Sequence, residues 1–148
     1  MNDQFAHDMP KDAATPVVES HRAMRENLPF SDRRDFADAA RGFMGTRAGV
    51  RILSDKGRVV WSLEPYDFIG EEVAPPTVNP SLWRQSRLNM YHGLFEVTPG
   101  VYQVRGFDAA NMTLVEGDTG VIVVDCLTTV ECARAAMDLY FAHRGRRP

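Results

Sequence analysis

Leu94-Phe-Glu-Val-Thr-Pro-Gly-Val-Tyr-Gln-Val-Arg-Gly-Phe-Asp-Ala-Ala-Asn-Met-Thr-Leu-Val-Glu-Gly-Asp-Thr-Gly-Val-Ile-Val-Val-Asp125 is the stretch that decides the architecture. Its apolar runs, 94–97, 101–107, 112–116 and 121–125, are short enough to be strands. Pro99-Gly100 and Gly117-Asp-Thr-Gly120 supply turn chemistry between neighbours. Val121-Ile-Val-Val124 is the most apolar run, and a continuous run of this kind reads as a central strand. Asp125 closes it. In layered α/β sheets ligands gather beyond such strand ends. A carboxylate there can orient a neighbouring loop or a metal-bound histidine, or it can be a plain turn residue. Asp125 is therefore the candidate site residue.

Downstream the periodicity changes to that of a helix over about 128–143. Thr128 and Glu131 form a capping-box pattern, and Val130, Ala133, Met137, Tyr140 and Phe141 fall on one face. Arg144, Arg146 and Arg147 crowd its C-terminal end, where positive charge suits the helix dipole. Upstream, Asn79-Pro80 opens a helix to about Met90, with Leu82, Trp83, Leu88 and Met90 as packing residues. Residues 64–80 are a Pro-rich loop whose Tyr66, Phe68 and Ile69 pin it to the domain. Residues 50–61 read as a hairpin turning at Ser54-Asp-Lys-Gly57. Residues 31–41 read as a short helix, capped by Ser31 or Asp32 and ended by Gly42. The three prolines and sparse large apolar groups of residues 1–29 predict an extended or partly disordered arm.

The 148 residues suffice for one domain with a core, and 44% hydrophobic and 25% charged residues are ordinary for a globular chain. A net charge of −3 gives no electrostatic reason to expect nucleic acid as partner. No apolar run reaches the roughly 18 residues of a membrane helix, so no membrane partner is expected. Met1–Pro10 has no basic patch followed by an apolar run, which argues against a signal peptide and for a cytoplasmic location. Cys126 and Cys132 are neither a Cys-x-x-Cys pair nor a plausible cytoplasmic disulfide, and both read as structural thiols.

The chemistry-bearing motifs are missing. His7, His21, His92 and His143 stand apart, and no spacing among them makes a set of three or four zinc ligands. His92 reads as a surface or hydrogen-bonded residue and His143 as a partner of its helix dipole. There is no Gly-x-Ser-x-Gly elbow and no phosphate loop, because Glu116-Gly-Asp-Thr-Gly120 joins two strands rather than a strand and a helix. No catalytic residue and no metal ligand is assigned on these grounds.

Several stretches nevertheless carry a resemblance. These are Ala74-Pro-Pro-Thr-Val-Asn-Pro-Ser-Leu-Trp-Arg-Gln85, His92-Gly-Leu-Phe-Glu-Val97, Tyr102-Gln-Val-Arg-Gly-Phe-Asp108, Asn111-Met-Thr-Leu-Val-Glu-Gly-Asp-Thr-Gly120 and Val123-Val-Asp-Cys-Leu-Thr128. From about Val73 to Pro148 the chain resembles the N-terminal part of the alkyl sulfatases of the metallo-β-lactamase superfamily. The resemblance implies an α/β (α+β) fold: an incomplete N-terminal portion of an αββα sandwich, with strands at 94–125 and a helix at about 128–143. It divides the chain into an arm and short helix (1–49), an extension of hairpin, Pro-rich loop and helix (50–93), and the first strands and helix of the catalytic domain (94–148).

It also implies that the complete enzyme holds two zinc ions and hydrolyses alkyl sulfate esters such as dodecyl sulfate to alcohol and sulfate with metal-activated water. Asp125 then takes the role of supporting the metal-binding loop, although Cys126 stands where the family usually has proline. The family's Thr-His-x-His-x-Asp-His metal motif follows a few residues beyond the position of Pro148. A fragment without it is expected to bind no zinc and to be inactive alone. The alternative is an interaction protein: a split-enzyme half that pairs with a separate C-terminal half, or a homodimer, through an exposed strand edge.

Overall fold

The computed structural model describes residues 11–70, 72–146 and 148. The first ten residues of the expected arm, including His7, and Arg147 lie outside the described residues.

The quoted stretch forms the sheet it predicts. β4 (Gly93–Thr98), β5 (Val101–Arg105), β6 (Met112–Glu116) and β7 (Val121–Val124) run as an antiparallel meander. Gly100 takes φ +81 in the first of its turns. A three-residue strand that the sequence reading did not include, β1 (Phe43–Gly45), adds antiparallel to β4, giving the order β1-β4-β5-β6-β7. The predicted hairpin is a separate two-stranded ribbon of β2 (Arg51–Leu53) and β3 (Val59–Ser62), with Gly57 at φ +77 in its turn.

Strand alternation assigns the two faces of the large sheet. Leu94, Tyr102, Val104, Met112, Leu114 and Val123 lie on the face covered by α4 (Val130–Arg144) and by the hairpin, whose Ile52 joins the same core, as do Cys132, Ala136 and Tyr140 of α4. The helix is fastened at its far end. Glu116 accepts from the Tyr140 hydroxyl at 2.8 Å and from Arg144 Nε and Nη2 at 3.0 and 2.9 Å, a two-pronged ion pair. The opposite face is mixed: Phe95, Gln103, Arg105 and Thr113 share it with Val101, Val115, Ile122 and Val124.

A second cluster lies beside the sheet. Residues 64–70 form a 3-10 helix within the Pro-rich segment, and its Ile69 packs with Ala74 and with Trp83 of α3 (Pro80–Asn89). Asn79 caps α3 as its sequence suggests, with Oδ1 accepting from the amides of Ser81 and Leu82. α2 (Arg34–Ala40) is tied to α3 through Arg84, which donates to both carboxylate oxygens of Asp35 and to the carbonyls of Phe30 and Asp32.

Five expectations need correction. Residues 15–27 are a helix, α1 (Thr15–Asn27), not an extended arm: Pro16 sits in its first turn, where proline is tolerated, and His21 and Arg25 donate to the carbonyls of Pro76 and Ala74. β7 is an edge strand among the described residues, with one face half-buried and the other open, rather than a central strand. The cap of α4 is Thr129, whose Oγ1 accepts from the Cys132 amide at 3.2 Å, because Thr128 is held elsewhere. The buried face of α4 is Cys132, Ala135, Ala136 and Tyr140; of the expected face Tyr140 is buried and Ala133, Met137 and Phe141 pack half-buried against the core, but Val130 is 69% exposed. In α3, Trp83 is buried but Leu82 is 60% exposed, because the helix meets the domain on one stripe only.

Candidate functional site

The register places three segments at one end of the sheet. Val104 pairs with Met112, and Thr113 with Val124, so loop 106–111 lies beside the exit from β7. There the chain makes a tight reversal through Asp125-Cys126-Leu127 before α4. Asp125 and Leu127 have φ +63 and +64, the only described non-glycine residues on that side of the backbone map. Asp125 Oδ1 accepts from the Leu127 amide at 2.8 Å, which closes the reversal locally. A left-handed conformation at a leucine costs of order 1–2 kcal/mol, so neighbouring contacts must hold it.

Asp108 does the holding. Its Oδ2 accepts from the Thr128 amide at 2.8 Å and from the Thr128 hydroxyl at 2.6 Å, and its Oδ1 accepts from the Ala109 amide at 2.6 Å. Asp108 is the one buried charged residue among those described. Burial by itself raises its carboxyl pKa, but the hydrogen bonds from Thr128, Ala109 and Cys132 outweigh that, and the net shift is downward. It is ionised at neutral pH. Sequence reasoning did not assign Asp108 a role. Its partner lies 20 residues on, and only the Phe107-Asp-Ala-Ala110 loop between two strands hints at a local turn.

The cysteines separate. Cys132 is buried, and desolvation pushes its thiol upward, as befits a small packing residue. Cys126 is exposed in the reversal, contrary to the expectation that both are buried packing groups. The histidines do not gather at the site. Nδ1 of His92 donates to the Met90 carbonyl, that of His143 to Leu139, and that of His21 to Pro76, each at 2.9 Å. Among the described residues, no three His, Cys, Asp or Glu side chains form a group that could hold a metal ion. The described residues therefore do not fit a zinc centre, and Asp125 has no histidine beside it to orient.

The comparisons with known proteins give the class. No protein-family model matches the chain. It is 49% identical over 138 residues to an (R)-specific secondary-alkylsulfatase of a Pseudomonas species, and 45% identical over 138 residues to the alkyl/aryl-sulfatase BDS1 of Saccharomyces cerevisiae. Each alignment takes in 93% of this chain and 21% of the relative. A linear primary-alkylsulfatase of a Pseudomonas species is 44% identical over 97% of the chain and 22% of its own length. In three dimensions the chain superposes on the stereoselective inverting sec-alkylsulfatase Pisa1 from Pseudomonas sp. with a TM-score of 0.85 and 49% identity, over 93% of this chain and 22% of that one.

The fold is thus α+β, an antiparallel sheet with helices, shared with a segment of the alkylsulfatases. The sequence fits an N-terminal portion of an alkyl sulfatase, and it spans about a fifth of the length of the relatives it matches. No helix of the described residues is long and apolar enough to cross a membrane.

Proposed function

We propose that this chain is the N-terminal platform of a metal-dependent alkyl sulfatase, which hydrolyses alkyl sulfate esters to alcohol and sulfate. In that reading residues 94–148 begin the catalytic domain, 50–93 are an extension and 1–49 an N-terminal segment that carries α1, α2 and β1. Two zinc ions belong to the complete enzyme, with ligands from outside these 148 residues. The chain by itself binds none and is inactive. Asp125 and its reversal support the metal-binding loop, and the site of action is cytoplasmic.

The observation that carries this reading is the β7 end of the second sheet face, which no described residue covers. α4 and the hairpin fill one side, while the other presents Ile122 and Val124, 66% and 56% exposed, with Val101 and Val115 beside them. A soluble sheet with one solvated face normally alternates apolar with polar residues. β7 is apolar at every position, as strands buried on both faces are. An apolar strand at the edge of this otherwise mixed face, which also carries Gln103, Arg105 and Thr113, calls for a second layer over β7. The relatives, more than four times as long, have the residues to supply it.

The test is reconstitution. The purified chain is assayed for zinc and for sulfate release from dodecyl sulfate and a secondary alkyl sulfate, alone and after mixing with the remaining four-fifths of the Pseudomonas secondary-alkylsulfatase. The expected result is no turnover alone and turnover with zinc uptake in the mixture. Stoichiometric zinc with turnover by the chain alone overturns the platform reading, and so does a mixture that stays inactive although the two pieces bind each other.

The same exposed face supports a second reading, a split half whose partner is encoded separately. It differs in one outcome: a folded complementary half made independently in the source cell and co-purifying with this chain.

A further inference from the structure

Between loop 106–111, the 3-10 helix and the end of α3 lies a cavity of about 500 Å3, the size of a small-molecule site. Trp61, Leu63, Tyr66 and Tyr91 give it apolar and aromatic lining, and Arg105 and Asp108 are the charged residues that line it. The cavity opens at the same end of the sheet as the Asp125 reversal, because Asp108, which grips Thr128, also lines it.

Arg105 is the informative group. It is half-buried, stacked over the Phe95 ring at 4.3 Å, and desolvation lowers its pKa. Nε donates to Gln103 Oε1 at 2.7 Å and Nη1 to the Ala39 carbonyl at 3.3 Å. Those bonds use two of the five N–H donors of a guanidinium. Among the described residues no carboxylate forms an ion pair with it. Asp108, the acid on the same cavity, already accepts from Ala109 and twice from Thr128. A desolvated cation with spare donors favours an anion, and the aromatic walls favour a chain of methylenes.

We propose that this cavity binds a single-chain amphiphile with an anionic head, of the alkyl sulfate class, with the head on Arg105 and the chain along Trp61, Tyr66 and Tyr91. The choice of a sulfate ester rests on the alkyl sulfatase reading above; the cavity and its unpaired guanidinium do not. The test is calorimetric titration of the 148-residue chain, without metal, with octyl sulfate below its micelle-forming concentration and with octanol in parallel. One-to-one binding is expected, with octanol about tenfold weaker or worse, since a hydrogen-bonded charge contributes on that scale. Arg105→Met is expected to weaken octyl sulfate to the octanol level, and Arg105→Lys to fall between.

Equal binding of octanol and octyl sulfate overturns the assignment without any variant, so a folding defect in Arg105→Met cannot shield it. Non-saturating binding, or binding unchanged in a folded Arg105→Met, overturns it as well. Sulfate release in the reconstituted enzyme without octyl sulfate binding to this chain sinks the cavity and leaves the enzymatic reading standing. Binding without release does the opposite.

Discussion

Asp108 and Thr128, 20 residues apart, are joined twice: one carboxylate oxygen of Asp108 accepts from both the backbone amide and the hydroxyl of Thr128. This contact ties the β5–β6 loop to the start of α4 and leaves the chain between β7 and α4 only three residues in which to reverse. The two left-handed residues, Asp125 and Leu127, sit inside that span. Replacing Asp108 with Asn removes the charge from its hydrogen bonds to Thr128 and Ala109. A loss of about 1.5–3 kcal/mol in chemical denaturation is expected, with Thr128→Val losing less because the amide bond survives.

The same carboxylate predicts a pH dependence. Its pKa is lowered in the folded chain, so the unfolded chain takes up protons more readily as the solution is acidified. Stability from this group is complete above the ordinary carboxylate range and drains away as pH falls through that range toward the folded value. Asp32, pulled down to about 2 chiefly by its side-chain hydrogen bond with Arg34, titrates in the same direction at the surface. Thermal melts of Asp108→Asn in an Asp32→Asn background should therefore show a flatter acid limb than melts of Asp32→Asn alone. An identical slope in the two would remove Asp108 from the account.

Gly93 begins β4 at φ +126, where an added methyl group meets the Gly45 carbonyl and the side chains of Thr46 and Phe43. Gly93→Ala should cost about 1–3 kcal/mol through backbone strain and crowding. Because β1 is the element displaced, amide exchange should quicken at residues 43–45 before it quickens in β5 or β6. Uniform acceleration across the sheet would argue against a local clash.

What could be read from the sequence divides along the range of the interactions. The meander from β4 to β7, the hairpin turn at Gly57 and the Asn79 cap depend on neighbours a few residues away, and the structure contains all of them. β1 escaped because three residues with a glycine carry no period of their own; its partner β4 defines it, through an irregular register. α1 escaped because proline reads as a breaker except in a first turn, which is where Pro16 sits, and because the helix buries no residue of its own. The pattern favours Thr128, whose Glu131 completes a capping box, and only Asp108, reaching from another loop, assigns the cap to Thr129. The central position expected for β7 reflected a true property, its apolarity on both faces, in a chain whose described residues cover only one of them.

That uncovered face makes its own prediction. Ile122 and Val124 touch little in this chain, so Ile122→Arg with Val124→Glu should shift its stability by no more than about 0.5 kcal/mol per site. In the reconstitution assay the same pair should abolish association, since it places charge in the proposed interlayer contact. Unimpaired association would move the second layer to another surface.

Asp125 is the residue on which stability and the proposed activity part company. Its side chain makes one hydrogen bond, to the Leu127 amide, and lies exposed at the end of β7. Asn accepts the same bond through its amide oxygen and tolerates the left-handed backbone at least as well. Asp125→Asn should therefore melt with the parent, within about 0.5 kcal/mol. If the carboxylate supports a metal-binding loop, the reconstituted enzyme should lose about 10–100-fold in zinc affinity, because a neutral amide neither raises the basicity of a ligating histidine nor fixes its orientation as a carboxylate does. Zinc affinity and turnover equal to the parent would reduce Asp125 to a turn residue. A fall in melting temperature large enough to explain the loss would assign its effect to folding instead of to the metal loop.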